Sequence, residues 1–82
     1  MIRVELLYFA QIREAFGRER ETIELHAGGT VRHVISQLRQ RPEWLGVGDL
    51  PLRFAVNERI VETDYRLADG ERLALLTPLS GG

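Results

Sequence analysis

Apolar and polar residues alternate with a period of two in several short stretches of this 82-residue chain. In the first stretch, Val4, Leu6 and Tyr8 share one side of an extended backbone. This period is typical of a β-strand with one buried face. The predicted strands are residues 2–9, 21–25, 52–56, 59–61 and 72–77.

A different spacing occurs between the second and third strands. Apolar residues recur there at i, i+3, i+4 and i+7, which is the spacing of one face of an α-helix. The predicted helix covers about residues 31–40 and has Thr30 as its N-terminal cap. It ends before Pro42, because a proline pushes the preceding residue out of the helical region. Residues 42–51 then predict a loop folded back over the core. The apolar helix positions are Val31, Val34, Ile35 and Leu38.

The remaining connections contain residues that favour turns. Residues 10–19 predict a polar connection with room for one helical turn. Asn57-Glu58 is placed for a tight turn before the fourth strand, and Asp69-Gly70 for a turn before the fifth. The chain therefore reads as two strands, one helix and then two or three strands.

This order of elements predicts an α+β fold, in which a single mixed sheet has one main helix across one face. A crossover through the helix favours parallel pairing of the first strand with the last, so that the last strand lies in the middle of the sheet. That arrangement is the β-grasp, or ubiquitin-like, fold. Residues 1–77 are expected to form this domain, and residues 78–82 a flexible C-terminal tail.

One helix covers only one face of such a sheet, and the opposite face carries apolar residues out of phase with the core positions. If they converge, they form an exposed apolar patch beside the root of the tail, and such patches usually mark a partner surface. The alternative is a phase error of one residue, which would put Phe9 or Leu76 in the core. The out-of-phase residues are Leu7, Phe9, Ala55, Ala74 and Leu76. The expected partner-binding residues are Leu7, Phe9, Ala74, Leu76 and Pro78.

Composition excludes several classes of function. A net charge of −1 argues against a nucleic-acid-binding protein, which needs an excess of cations. There is no cysteine, so the chain has no disulfide and no thiol nucleophile, and any sulfur chemistry must use imported sulfur. No apolar run approaches the length of a membrane span. These features predict a soluble cytoplasmic protein. All eleven basic residues are arginine, so the chain has no ε-amine to accept an acyl group. A compositional bias of the genome or growth at high temperature would explain the absence of lysine.

The sequence ends in Gly81-Gly82, and this end is the strongest candidate for chemistry. Two residues without a Cβ atom make the narrowest stalk that can carry an acyl group into another active site. The reacting group would be the Gly82 carboxylate, with Ser80 and Gly81 threading behind it. A carboxylate is ionised at neutral pH and is therefore a poor electrophile until it is activated. The alternative is a small, polar terminus without a function.

Other candidate sites are weaker. His26 and His33 lack the further ligands that a metal site needs, so no metal site is predicted. Gly28-Gly29 before the helix is better explained by a strand-to-helix turn than by phosphate binding. The basic residues near the helix C-terminus complement its dipole. No set of serine, histidine and aspartate residues indicates an active site within the chain.

Several short motifs together resemble the small subunit of molybdopterin synthase, and the resemblance covers nearly the whole chain. The chain departs from that family in one place, where Thr77-Pro78 stands instead of the usual pair of prolines before the tail. The motifs are Tyr8-Phe9-Ala10 with Arg13-Glu14, Thr30-Val31, Asn57-Glu58, Leu67-Ala68-Asp69-Gly70-Glu71 and Pro78-Leu79-Ser80-Gly81-Gly82.

The resemblance implies a sulfur carrier that is not an enzyme on its own and binds no cofactor. In that family an activating enzyme uses ATP to adenylate the terminal carboxylate, here that of Gly82. A sulfur donor protein then converts the adenylate to a thiocarboxylate. A large catalytic subunit uses this sulfur to build molybdopterin from cyclic pyranopterin monophosphate. The family also implies a heterotetramer of two large and two small subunits.

Three other interpretations remain open from the sequence. A sulfur carrier for thiamine synthesis or tRNA thiolation would share the tail chemistry, although the thiamine carrier is typically shorter. A ubiquitin-like modifier would be attached to protein lysines through Gly82. A plain interaction module would not need the tail at all.

Overall fold

The computed structural model describes residues 1–77, and in these residues every predicted strand and the main helix are confirmed. Strands are numbered β1 to β5 and α-helices α1 and α2 in chain order. The elements are β1 Ile2–Tyr8, α1 Ala10–Phe16, β2 Arg20–Leu25, α2 Val31–Arg39, a 3₁₀ helix Pro42–Gly46, β3 Arg53–Val56, β4 Arg59–Val61 and β5 Arg72–Leu76.

The strands form one mixed sheet in the order β2-β1-β5-β3-β4. The pairing of β1 with β5 is parallel, and the other three pairings are antiparallel. The last strand therefore lies in the middle of the sheet, between β1 and β3. This is the predicted β-grasp arrangement, and it is confirmed.

The core lies between the sheet and the helices. Val31, Val34 and Leu38 of α2 are completely buried, in agreement with the predicted apolar stripe. They face fully buried side chains of the two central strands, which are Val4, Leu6, Leu73 and Leu75. Alternate residues of these strands face the helices, so the intervening residues form a second, uncovered face.

The predicted helical turn through Ile12, Ala15 and Phe16, ended by Gly17, was correct but too short, because Ala10–Phe16 forms a seven-residue helix. Ile12 and Phe16 are four residues apart on one side of this helix, and both are buried. Gly17 ends the helix in the left-handed region at a φ of 69°. Two core positions in a largely polar stretch were too weak a sequence signal to predict more than one turn.

The predicted loop over residues 42–51 is only partly correct, because it begins with the 3₁₀ helix. This segment does fold back over the core. The indole of Trp44 packs near the ring of Phe16, with 6.4 Å between the ring centroids.

A polar cluster joins β1, β2 and the end of α2. The Tyr8 hydroxyl donates a hydrogen bond of 2.6 Å to Glu21 Oε2, and Arg41 Nη1 donates one of 2.7 Å to the same oxygen. Burial alone would raise the pKa of Glu21, but the hydrogen bonds from Arg41 and Tyr8 outweigh it and hold that pKa below its usual value. Burial, together with the bond to Glu21, raises the pKa of Tyr8.

This cluster predicts a specific loss of stability in acid. The pKa of Glu21 is lower in the folded than in the unfolded protein, so its contribution to stability is present above the unfolded pKa of about 4.5 and is lost as the pH falls through the folded pKa. Glu21→Gln is expected to lower the free energy of unfolding by about 1–2 kcal/mol at pH 7 and to flatten its dependence on pH below about 5. Chemical denaturation at a series of pH values measures both effects. Glu14→Gln, at an exposed position of α1, is the control, and equal effects of the two variants would contradict the prediction.

Candidate functional site

The sheet face opposite α2 carries a row of apolar side chains across its central strands. Leu7 of β1 pairs with Ala74 of β5, and Ala74 pairs with Ala55 of β3. Directly paired residues lie on the same face of a sheet. Each of these three side chains is partly exposed, which is the phase predicted from the sequence.

Phe9 and Leu76 lie beside this row, two residues further along the chain than its members in β1 and β5, towards the C-terminal ends of these strands. Tyr8 pairs with Leu75 in the parallel β1–β5 ladder, so Phe9 and Leu76, which follow these residues, lie side by side where the two strands end. The Phe9 residue is 43% exposed and Leu76 is partly exposed. The alternative of a phase error, with Phe9 or Leu76 in the core, is therefore wrong. We refer to Leu7, Phe9, Ala55, Ala74 and Leu76 as the apolar patch.

The apolar patch is concave. A depression of about 370 Å³ lies over it, and Leu76 is not among the residues that line it. The two alanines supply its smallest side chains, at the paired positions of two neighbouring strands. The depression therefore offers space for a side chain from a partner. The lining residues are Leu7, Phe9, Ala55, Asn57, Glu58, Arg72 and Ala74.

Charged residues border the apolar patch towards the start of β1 and β5. Glu5 Oε1 accepts a salt bridge of 2.8 Å from Arg72 Nε, and Glu5 Oε2 lies 3.8 Å from Arg20 Nη1. These exposed ion pairs contribute little to stability. The open face of the sheet therefore has a charged end and an apolar end. Strand β5 ends at the apolar end.

One exposed apolar residue on this face was not predicted from the sequence. Ile60 of β4 pairs with Ala55 and is 59% exposed, so it extends the apolar row to the edge of the sheet. The intervening turn residues Asn57 and Glu58 both have positive φ, at 52° and 66°, which is typical of a two-residue hairpin. A two-residue turn at Asn57-Glu58 pairs Val56 with Arg59 and therefore Ala55 with Ile60. This hairpin register could have predicted the position of Ile60 from the sequence.

The tail residues predicted to carry the chemistry lie outside the described residues. Strand β5 ends at Leu76, and Thr77 is the last residue that the structure describes. The expected roles of Pro78, Ser80, Gly81 and Gly82 therefore stay predictions, as does the role of the apolar patch in binding a partner.

The structure gives His33 a local role in capping α2. Its Nδ1 accepts a hydrogen bond of 2.9 Å from the Thr30 backbone N–H. Within residues 1–77, no group of three or more histidine, aspartate or glutamate side chains is arranged to hold a metal ion. Gly29 packs tightly in the turn before α2, where a Cβ atom would lie 3.0 Å from the His26 carbonyl oxygen.

No helix in the described part of the chain is long and apolar enough to cross a membrane. This finding concerns residues 1–77 only.

The mixed sheet with a parallel central pair, the covering helix and the apolar patch at the end of β5 define a ubiquitin-like protein of the β-grasp class. Within that class, the chain belongs to the ThiS family, whose sequence profile matches residues 6–82.

Three comparisons describe its relatives. The chain is 34% identical to the molybdopterin synthase sulfur carrier subunit of Mycobacterium tuberculosis, over 100% of both chains. It is 33% identical to the Escherichia coli protein of the same name, over 96% of this chain and 99% of that one. A solved structure from Pyrococcus furiosus, provisionally named molybdopterin converting factor, subunit 1, is 31% identical. It superimposes with a TM-score of 0.82 over 96% of this chain and 100% of that one.

Proposed function

We propose that this chain is the sulfur carrier subunit of a molybdopterin synthase and delivers sulfur as a thiocarboxylate at Gly82. The observation that carries the proposal is the similarity to a sulfur carrier subunit over the full length of the chain, with a family match that runs to Gly82. Residues 1–77 are the docking domain in this proposal, and residues 78–82 carry the reacting group. The carrier works in the cytoplasm.

The chemistry follows from the low reactivity of a carboxylate. A Gly82 carboxylate oxygen attacks the α-phosphorus of ATP in an activating enzyme, and pyrophosphate leaves. Sulfide delivered by a donor protein then attacks the acyl carbon, the bond between that carbon and the AMP oxygen breaks, and AMP leaves. The sulfur of the resulting thiocarboxylate then forms a bond to a carbon of cyclic pyranopterin monophosphate in the large subunit. Water cleaves the bond between this sulfur and the Gly82 carbonyl carbon, which leaves the sulfur on the product and restores the Gly82 carboxylate. The carrier uses ATP only through the activating enzyme, and the catalytic side chains belong to the partner proteins.

The apolar patch supplies the binding energy for this exchange. Ordering each tail residue in a partner's active site costs roughly 1–2 kcal/mol. Burying apolar surface recovers about 25 cal/mol per Å², so a docked patch offsets that cost. The concavity over Ala55 and Ala74 supports binding of a protruding side chain of the large subunit. Glu5, Arg20 and Arg72 at the charged end then fix the orientation of the complex.

Reconstitution with purified proteins tests this proposal. The chain is incubated with the activating enzyme of its own organism, ATP and a sulfur donor, and then with the large subunit and cyclic pyranopterin monophosphate. Molybdopterin is expected only when every component is present, and not with a chain lacking Gly81-Gly82. A thiocarboxylate that forms but gives no molybdopterin would favour a thiamine or tRNA pathway. Isopeptide bonds from Gly82 to protein lysines would favour a modifier.

A further inference from the structure

A second concave surface lies on the helix side of the molecule, away from the apolar patch. It is a groove of about 600 Å³ between α2, the segment after the 3₁₀ helix and β3. Its lining residues are Arg32, Ile35, Ser36, Arg39, Trp44, Gly48, Asp49, Leu50, Leu52, Phe54 and Thr63.

The floor of this groove is apolar. Ile35, Trp44 and Leu52 pack against the core but remain partly exposed, and Leu50 is also partly exposed. The predicted apolar stripe of α2 therefore divides in two. Val31, Val34 and Leu38 are sealed in the core, whereas Ile35 turns its side chain to the groove.

Two arginines of α2 flank this floor. Within residues 1–77, neither Arg32 nor Arg39 forms a salt bridge with a carboxylate. Arg32 Nη2 donates a hydrogen bond of 3.1 Å to Thr63 Oγ1, and the Arg39 guanidinium lies 5.8 Å from the centroid of the Trp44 ring. Asp49 is the one carboxylate among the described lining residues, so the groove has an excess of positive charge.

The spacing of these charges restricts the chemistry of a ligand. Arg39 follows Arg32 by seven positions, and this step corresponds to a rise of about 10 Å along the axis of a helix. The Arg32 guanidinium is bonded to Thr63 and the Arg39 guanidinium lies beside the Trp44 ring, so the two charges are held by different partners at the two ends of the groove. The hydroxyls of Ser36 and Thr63 can pair with the backbone of an extended chain.

We infer that this groove binds a short acidic segment of another polypeptide, with negative charges at its two ends and one or two large apolar side chains between them. Charge complementarity with Arg32 and Arg39 provides the selection, and the Trp44 floor receives the apolar side chains. Phe54 faces the groove and Ala55 faces the apolar patch, so the sheet separates the two surfaces. The groove and the depression over the apolar patch therefore have no lining residue in common.

Trp44 is the only tryptophan of the chain, so its fluorescence reports directly on the groove. The probe is a blocked octapeptide in which two glutamates flank a leucine-phenylalanine pair, and the matched peptide has glutamine in place of both glutamates. The acidic peptide is expected to change the Trp44 emission in a saturable manner. The glutamine peptide is expected to bind about tenfold more weakly or worse, corresponding to about 1.4 kcal/mol. Added salt is expected to weaken the binding of the acidic peptide and not that of the glutamine peptide.

Matched charge variants locate the binding. The double variant Arg32→Glu, Arg39→Glu is expected to lower the affinity for the acidic peptide by about tenfold or more. The control, Arg3→Glu with Arg66→Glu, is expected to change this affinity by less than about twofold. Equal losses in both pairs would show a response to net charge alone and overturn the inference. Two further results would overturn the inference. One is that the peptide shifts the NMR signals of backbone amides in the apolar patch alone, and the other is that ATP changes the Trp44 emission in a saturable manner while the peptide does not. None of these outcomes depends on Gly82, so they are independent of the proposed sulfur transfer.

Discussion

Gly81→Val is expected to reduce thiocarboxylate formation at Gly82 by about a hundredfold or more, with the free energy of unfolding of the domain unchanged. A branched side chain widens the stalk next to the reacting carboxylate and restricts its backbone. Displacing a reacting group by about 1 Å is enough to cost two orders of magnitude in rate. The rate of AMP release with activating enzyme, ATP and sulfide measures the effect.

Ser80→Ala is the matched control, because it removes a hydroxyl without adding width. It is expected to react at nearly the wild-type rate. Equal rates for Gly81→Val and the wild-type chain would contradict a narrow passage for the tail. A lower midpoint of chemical denaturation in Gly81→Val would show that the substitution acts on the fold instead.

Ala74→Arg is expected to weaken binding of the large subunit by about a hundredfold, which corresponds to nearly 3 kcal/mol. The substituted side chain fills the depression in the apolar patch and forces a charge into the centre of the interface. Stability is expected to change little, since Ala74 faces the open side of the sheet and an arginine head group there can reach water. Calorimetric titration against the large subunit gives the affinity, and denaturation gives the stability.

Thr22→Arg adds the same group on the same open face, at an exposed position of β2 outside the apolar patch. It is expected to leave the affinity within about twofold of wild type. If both variants lost affinity equally, the added charge rather than its position would be responsible. Undiminished binding by Ala74→Arg would remove the apolar patch from the interface.

The β-grasp fold was predictable because local periods and turn residues agree with the global topology. A period of two defined the strands, and the helical spacing of Val31, Val34 and Leu38 defined α2. The same alternation gave the correct exposed phase for Leu7 and Phe9. Strand order followed from the helical crossover, which brings the first and last strands side by side.

Features that depend on contacts between distant segments could not be predicted. The burial of Ile12 and Phe16 depends on packing against the core, and their own segment is largely polar. The pairing of Tyr8 with Glu21 and Arg41 joins three separate elements. The groove beside Trp44 likewise exists only because residues 42–52 fold back next to α2.

The central claim is that Gly82 carries sulfur, and the mass of the native protein tests it most directly. The chain is purified from its own cells without reducing or alkylating agents, and its C-terminal peptide is then fragmented. We expect a fraction that is heavier by the difference between one sulfur and one oxygen atom, with the change at Gly82 and not at Met1. An unmodified Gly82 in every preparation, even after incubation with activating enzyme, ATP and a sulfur donor, would contradict the account.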